Sequence, residues 1–359
     1  MYMPNDIRGT LSSWNYTKQH DPLNILFCGT DEFSIYSLRA LHKLQNQRPE
    51  KIANIDVLCR PNKLGGRHWD RIHEAPIKAA AAQLGLHIHH VDNFKSWTRP
   101  KGVNLIVAVS FGLLVPARIL NETKYGGLNV HPSLLPDLRG PAPIVHTLLH
   151  RREYTGTMHP TRFDHGNVLW QTPAPGFRVP DSCTPQQLRN ALGRLSAEML
   201  RGGIENGLFL PPLKDVTNGT ADPESLDHAP KVTPEDRHID WTTWTADEIL
   251  LRDRVLGRLW DTTTYAEVAK PEQRAPKRVA FQGPWTKLSL GQVVRVNYVG
   301  IGEPGAPVLV SEANDHNPRF GIRTSDNWVV SPSSATIDGE KKGTGLHALT
   351  NRFVRRDAG

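Results

Sequence analysis

The sequence has little cysteine, no long apolar run and no complete glycine-rich nucleotide loop. Its 359 residues hold three cysteines, Cys28, Cys59 and Cys183, and no CxxC pair. An odd, scattered set excludes a disulfide framework or a cysteine zinc site and suits a reducing compartment. Cys28 lies in an apolar run and reads as a small core residue. No stretch approaches the roughly 18 continuous apolar residues of a membrane helix, so no membrane partner is expected. No G-x-G-x-x-G follows a strand, which weakens a dinucleotide reading. Residues 1–22 lack both the apolar core of a secretion signal and the Arg-rich, acid-poor composition of a transit peptide. They read as a disordered tail or a targeting segment.

What is present describes a soluble globular chain. Apolar residues make up 38% and charged residues 22%, and the length predicts two domains rather than one. The net charge of +7 suits an anionic partner such as nucleic acid, and equally plain solubility.

The first half alternates strand and helix patterns. Leu23–Thr30 reads as a parallel strand ending in a glycine turn, followed by helical spacing at Ile35, Leu38, Leu41 and Leu44. Ile55–Cys59 is a second strand, Ala75–Leu84 a helix with Gly85 as its C-cap, Leu86–His90 a short strand, and Leu105–Val109 a buried one. This predicts an α/β class with a Rossmann-like, doubly wound parallel sheet. His87, His89 and His90 are three histidines in four residues, but no acid or cysteine stands at ligand spacing, so no metal is expected. Thr184–Gly202 is an amphipathic helix with Leu188, Leu192, Leu195 and Leu200 on or near one face. Asn218–Pro230 reads as a loop. Ala246–Leu259 is a helix at a junction, with Trp241 read as packing beside it.

From about residue 262 the pattern becomes short β-like runs: Gln292–Val299, Pro307–Val310, Phe320–Arg323 and Trp328–Ser331. They predict a smaller C-terminal β-barrel, OB-like in size. Its 13 Lys/Arg against 9 Asp/Glu, counted from residue 265, give a local net of +4. That suits contact with a nucleic-acid backbone, or a solubility face.

The chemistry concentrates on Asn129-Val130-His131-Pro132-Ser133-Leu134-Leu135-Pro136. Leu128–His131 reads as a short strand, and ligands of open α/β sheets sit at the carboxyl ends of strands. Asn129 and His131 are two apart and point to one face. An amide and an imidazole there can serve a developing oxyanion and a moving proton, or merely hold structure. Asp164 adds a carboxylate that can orient an imidazole and favour its charged form. The loop Arg60–Arg71 is basic and glycine-rich, with Trp69 inside it. It is either a solvated turn or an arm touching phosphates and stacking on a base.

These residues carry a resemblance. Asn129-x-His131-Pro-Ser-Leu-Leu-Pro136, then Arg139-Gly140-Pro141-Ala142-Pro143, then Asp164-x-Gly166 resemble the formyltetrahydrofolate-dependent formyltransferases. Within that family, the Arg-Gly-x-Ala-Pro run and the chain length are most like the members that act on methionyl-tRNA. Gly29-Thr30-Asp31-Glu32-Phe33 is similar to the family's Gly-Thr-Pro-x-Phe opening, with Asp31 where Pro is usual. Lys231 to Trp241 is similar to its Lys-x-x-x-Glu-x-x-Ile-Asp-Trp segment. The resemblance covers roughly residues 23–260.

The resemblance implies a formyltransferase fold and formyl transfer from 10-formyltetrahydrofolate to the α-amine of initiator methionyl-tRNA. It implies Asn129, His131 and Asp164 as catalytic residues. It places Phe111, Gly112, Leu113 and Leu114 along the pterin pocket, and Ser133, Leu134, Leu135 and Pro136 against the folate. It puts Lys63 and Arg67 in the loop that meets the tRNA acceptor arm. The expected layout is a tail at 1–22, a catalytic domain at 23–225, a linker and junction helix at 226–261 and a tRNA-binding barrel at 262–359. A monomer without metal is expected, in the mitochondrial matrix or else a bacterial cytoplasm. Another amine acceptor, an amino sugar or a glycinamide nucleotide, is the alternative within the class. A catalytically impaired tRNA-binding relative is the alternative outside it. The strand before Asp164 is three or four residues shorter than the family pattern and contains Pro160, which a central strand resists.

Overall fold

The computed structural model describes residues 19–65, 71–162, 165–216, 226–268, 277–289, 293–296, 303–310 and 319–357. The chain divides into two compact units, Met1–Lys231 and Val232–Gly359.

The first unit is built on a parallel sheet. Across it the strands run His87–His90, Ile52–Cys59, Leu23–Gly29, Leu105–Val109 and Gly127–Val130. The first strand in the chain is thus central, and later strands add on either side of it. Such an order creates a switch point beside Leu23–Gly29, where a crevice opens at the carboxyl ends. Leu105–Val109 is buried at every position, as a strand covered on both faces must be. On one face Leu26, Cys28, Ile106 and Ala108 pack with Phe94, Phe111 and Ile119. Each large side chain buried there contributes about 1.5–3 kcal/mol.

Helix Glu32–Gln47 begins where the Asp31 carboxylate accepts the Ser34 N–H at 3.2 Å, an N-cap that satisfies an otherwise orphan donor. It buries Phe33, Leu38, Leu41 and Leu44. Helix Pro185–Glu205 starts at a full capping box between Thr184 and Gln187 and buries Leu188, Leu192, Leu195 and Leu200. The helices expected at these places are present, and the second begins one residue later and ends three residues later than expected.

The segment before Asp164 is not a central strand. Met158–Arg162 pairs with His165–Gln171 as a two-stranded ribbon, with Pro160 opposite Val168. Its register shifts on either side of Val168. A proline there interrupts a short ribbon rather than the main ladder. Phe163 and Asp164 lie outside the described residues.

The second unit holds an antiparallel sheet in the order Trp260–Asp261, Val279–Ser289, Trp328–Ile337, Arg319–Arg323, Pro307–Val310 and Val293–Val296. It is a curled half-barrel, in keeping with the small barrel expected here. Its longest strand changes register between Gln282 and Trp285, which lets it bend. Phe281, Phe320, Ile337, Leu349 and Phe353 form the core with Trp241 and Ile249. Trp241 also donates to the Asp261 carboxylate at 2.7 Å, and the junction helix expected over Ala246–Leu259 is found at Ala246–Leu256, packed into this unit's core. Helix Gly345–Asp357 supplies Leu349 and Phe353, one turn apart on one face.

No helix among the described residues is long and apolar enough to cross a membrane. The three cysteines are buried and unbridged.

Candidate active site

Sheet register sets the site's frame. Gly29 pairs with Val109, and Val109 with Val130. Thr30, Ser110 and His131 therefore form the next row, just past the carboxyl ends of three adjacent strands. Asn129 pairs with Ala108 and stands two residues before His131, on the same face. Both side chains are buried, at 7% and 5% exposure. Burial matters here, because a hydrogen bond or charge in such a place acts far more strongly than in water.

His131 is held from two sides. Its main chain exchanges two hydrogen bonds with Met158, each 3.0 Å. Its ring Nε2 lies 3.1 Å from the Leu138 carbonyl oxygen. A carbonyl only accepts, so Nε2 must carry a hydrogen and donate it. The nitrogen whose proton can come and go is then Nδ1.

The run after His131 turns back on itself. Ser133 is buried, and its hydroxyl donates to the Asp137 carbonyl at 2.8 Å. Leu135 packs with Met158 and Val168. Leu138 adopts a φ of +56° and Gly140 one of +124°. A Cβ on Gly140 would lie 2.5 Å from the Ala229 carbonyl oxygen. Glycine is needed here both for the dihedral and for the close approach of residues 227–230. Ala229 N–H donates to Arg139 O at 2.7 Å, and Ala142 N–H to Ala229 O at 3.2 Å.

The neighbouring strand end bears Ser110 to Leu114. Thr30 Oγ1 donates to Phe111 O at 2.9 Å, tying this loop to the central strand. Phe111 is buried against Phe94, whereas Leu114 is 71% exposed. Gly112 has a φ of +75°, which turns the chain between them. Asp31 stands at the same switch point. Burial raises its carboxyl above the ordinary value, against the lowering effects of the Ser34 N–H, Arg189 and the Ser110 hydroxyl.

The structure thus brings Asn129, His131 and Ser133–Pro136 to one strand end, with Phe111–Leu114 at the adjacent one. Lys63 opens a short strand, Lys63–Gly65, paired with Arg71–His73. Arg67 and Asp164 lie outside the described residues. Of the three clustered histidines, His89 bonds Asp56 through Nε2 at 3.1 Å. Among the described residues no group of three or more His, Cys, Asp or Glu could hold a metal ion. Sequence reasoning missed Asp137, Leu138, Arg152 and Asp227. Arg152 Nη2 meets the carboxylates of Asp137 at 3.2 Å and Asp227 at 2.7 Å, across stretches that no local pattern joins.

A buried amide and a buried imidazole on one face of a strand end can bind a developing oxyanion and move a proton. The Formyl transferase family pattern matches residues 23–200. The mouse mitochondrial methionyl-tRNA formyltransferase is 34% identical over 325 residues, covering 87% of this chain and 74% of that protein. Its human counterpart is 34% identical over 248 residues, 67% of this chain; this chain spans 59% of the human protein's length. The mitochondrial enzyme of Saccharomyces cerevisiae is 33% identical, over 72% of this chain and 74% of its own. Among solved structures, a sugar 3N-formyltransferase superposes with a TM-score of 0.48 at 15% identity, over 90% of this chain and 100% of that one; a likeness of that size says nothing of the acceptor. By its kinship with these relatives, the chain belongs to the formyl transferase family, in its methionyl-tRNA formyltransferase group.

Proposed function

We propose that this chain transfers the formyl group of 10-formyltetrahydrofolate to the α-amine of initiator methionyl-tRNA. One observation carries this reading: the 34% identity with a relative of that name across 87% of the chain. The pair Asn129 and His131 at the strand end gives the reading its chemistry.

The unprotonated amine attacks the formyl carbon, and a carbon–nitrogen bond forms. The formyl oxygen becomes an oxyanion, which the Asn129 amide and a charged His131 stabilise. The amine nitrogen sheds its extra proton, the bond from carbon to the folate nitrogen breaks, and that nitrogen gains a proton. The charged ring gives its Nδ1 proton to that nitrogen, directly or through water, and is recharged by the proton the amine sheds. Asp164 favours the charged ring. Phe111–Leu114 and Ser133–Pro136 wall the folate, for which the exposed Leu114 offers apolar surface. Lys63 and Arg67 meet the tRNA, and the basic C-terminal unit follows its backbone. The protein works as a monomer in the mitochondrial matrix, a placement supported by the word mitochondrial in its relatives' names.

The test is a transfer assay with labelled formylfolate and charged initiator tRNA. His131→Ala and Asn129→Ala are each expected to lower turnover by at least about 100-fold. Near-native turnover in both variants, or no transfer by the unaltered protein, overturns the assignment.

A further inference from the structure

The carbonyl behind His131 is itself held in place by a chain of contacts. Leu138 sits in the left-handed region, at φ +56°, where a leucine stays only if its surroundings over-determine it. Its N–H donates to the Asp227 carbonyl at 2.8 Å. The Asp227 N–H donates in turn to Asp137 Oδ1 at 3.0 Å. Arg152 Nη2 bridges the two carboxylates, at 3.2 Å to Asp137 Oδ1 and 2.7 Å to Asp227 Oδ2. His150 Nδ1 lies 2.7 Å from Asp227 Oδ2. The segment 227–229 is thereby strapped over 137–142, with Arg152 as its pin.

We propose that Asp137, Arg152 and Asp227 form a clamp that positions His131. By seating the Leu138 carbonyl against Nε2, the clamp fixes the ring's orientation and its Nε2–H tautomer, so that Nδ1 is the nitrogen that takes up and releases the proton. This rests on the reading of His131 as the proton-transfer group. These three are positioning residues, none of which touches the reacting atoms.

A purely structural role makes a different forecast. The three side chains are 29–44% exposed, and ion pairs this open contribute little to stability. If stability were their whole purpose, removing Arg152 would change little of anything. A clamp on His131 predicts a loss of turnover out of proportion to the loss of stability, because the wrong tautomer disables a correctly placed ring.

The experiment compares full-length wild type, Arg152→Ala and Arg152→Lys. Thermal melts check folding. Steady-state kinetics use formylfolate and methionyl-tRNA, and nitrogen-15 spectra of histidine-labelled protein report the tautomer. The His131 signal is assigned by its disappearance in His131→Gln. In wild type, at a pH where the ring is neutral, that signal is expected to be Nε2–H. In Arg152→Ala the Nε2–H population should fall and kcat should drop at least about tenfold, with each KM changed less than about threefold. Arg152→Lys should recover part of both. A wild-type signal of the Nδ1–H form overturns the proposal, as does an unchanged spectrum and kcat in Arg152→Ala. If His131→Gln itself turns over normally, the catalytic reading falls instead. The spectra then still decide whether the clamp sets the tautomer.

Discussion

Substituting Gly140 by alanine tests how the strap is held. Two costs arise at once. The first is the dihedral: φ at +124° is strained for any residue with a Cβ, at about 1–3 kcal/mol. The second is contact: the new Cβ would stand 2.5 Å from the Ala229 oxygen and 3.0 Å from its carbonyl carbon. Backbone must yield, and Ala229 cannot move without stretching its bonds to Arg139 and Ala142, 2.7 and 3.2 Å long. At about 0.5–1.5 kcal/mol each, the expected total is roughly 2–6 kcal/mol. In a unit of this size that is a fall of roughly 5–20 °C in Tm. Gly85→Ala is the matched control. Its φ is +69° and its Cβ would meet nothing within 4 Å, so only about 1–2 kcal/mol of dihedral cost applies. Melting curves and transfer rates of both variants decide the matter. A Gly140→Ala protein that melts within about 2 °C of Gly85→Ala and retains wild-type turnover would refute the reasoning.

Other expectations follow from single features. Asp31 has a carboxyl raised above its unfolded value, mainly by burial, so its charge opposes folding. Stability is then greatest below the unfolded pKa and declines as pH rises through the folded one. Asp31→Asn keeps an N-cap of equal quality, and should melt higher than wild type near pH 7 with no advantage near about pH 3.5; a lower melt at pH 7 contradicts this. Phe353 is fully buried in the C-terminal core, and Phe353→Ala should cost about 3–5 kcal/mol in denaturant unfolding, whereas a loss below about 1 kcal/mol would mean that core is not as described. Lys63→Ala with Arg67→Ala should weaken tRNA binding, leave folate binding alone, and flatten the salt dependence by about one unit of slope per lost phosphate contact. Unchanged tRNA affinity would leave the loop as a solvated turn.

Much of the frame was legible because its signals are local. The apolar run Leu105–Val109 could only be a covered strand, and Thr184 with Gln187 three residues on announces a helix start. Among the elements that escaped, two are long. Val279–Ser289 is the longest strand of the second unit, yet Gly283 and Pro284 break its pattern, and the register indeed shifts there. Helix Gly345–Asp357 follows directly on turn residues and is rich in charge, so its two core residues, Leu349 and Phe353, left too sparse a periodicity. The site divides in the same way. Asn129 and His131 declare themselves by a spacing of two on a strand end. The partners of His131 do not, because its ring meets a main-chain carbonyl, and a carbonyl has no residue signature. The clamp behind it joins Asp137 and Arg152 to Asp227, 90 and 75 residues further along the chain.

The placement of one ring shows how such forces combine. The parallel ladder through Val130, Val109 and Gly29 sets where the His131 backbone emerges. The paired bonds to Met158 set the direction of its main chain. The Leu138 carbonyl sets the ring's rotation and which nitrogen is protonated. Each restraint comes from a different part of the first unit, and each removes a freedom the others leave. Proton transfer needs all three, since a displacement of about 1 Å can cost about 100-fold in rate. The first two restraints also stabilise the fold, so their loss is visible as unfolding. The third is made of half-exposed ion pairs and one strained leucine, and contributes less to stability. A variant of the clamp should therefore fold well and react slowly, which is the signature that separates positioning from support.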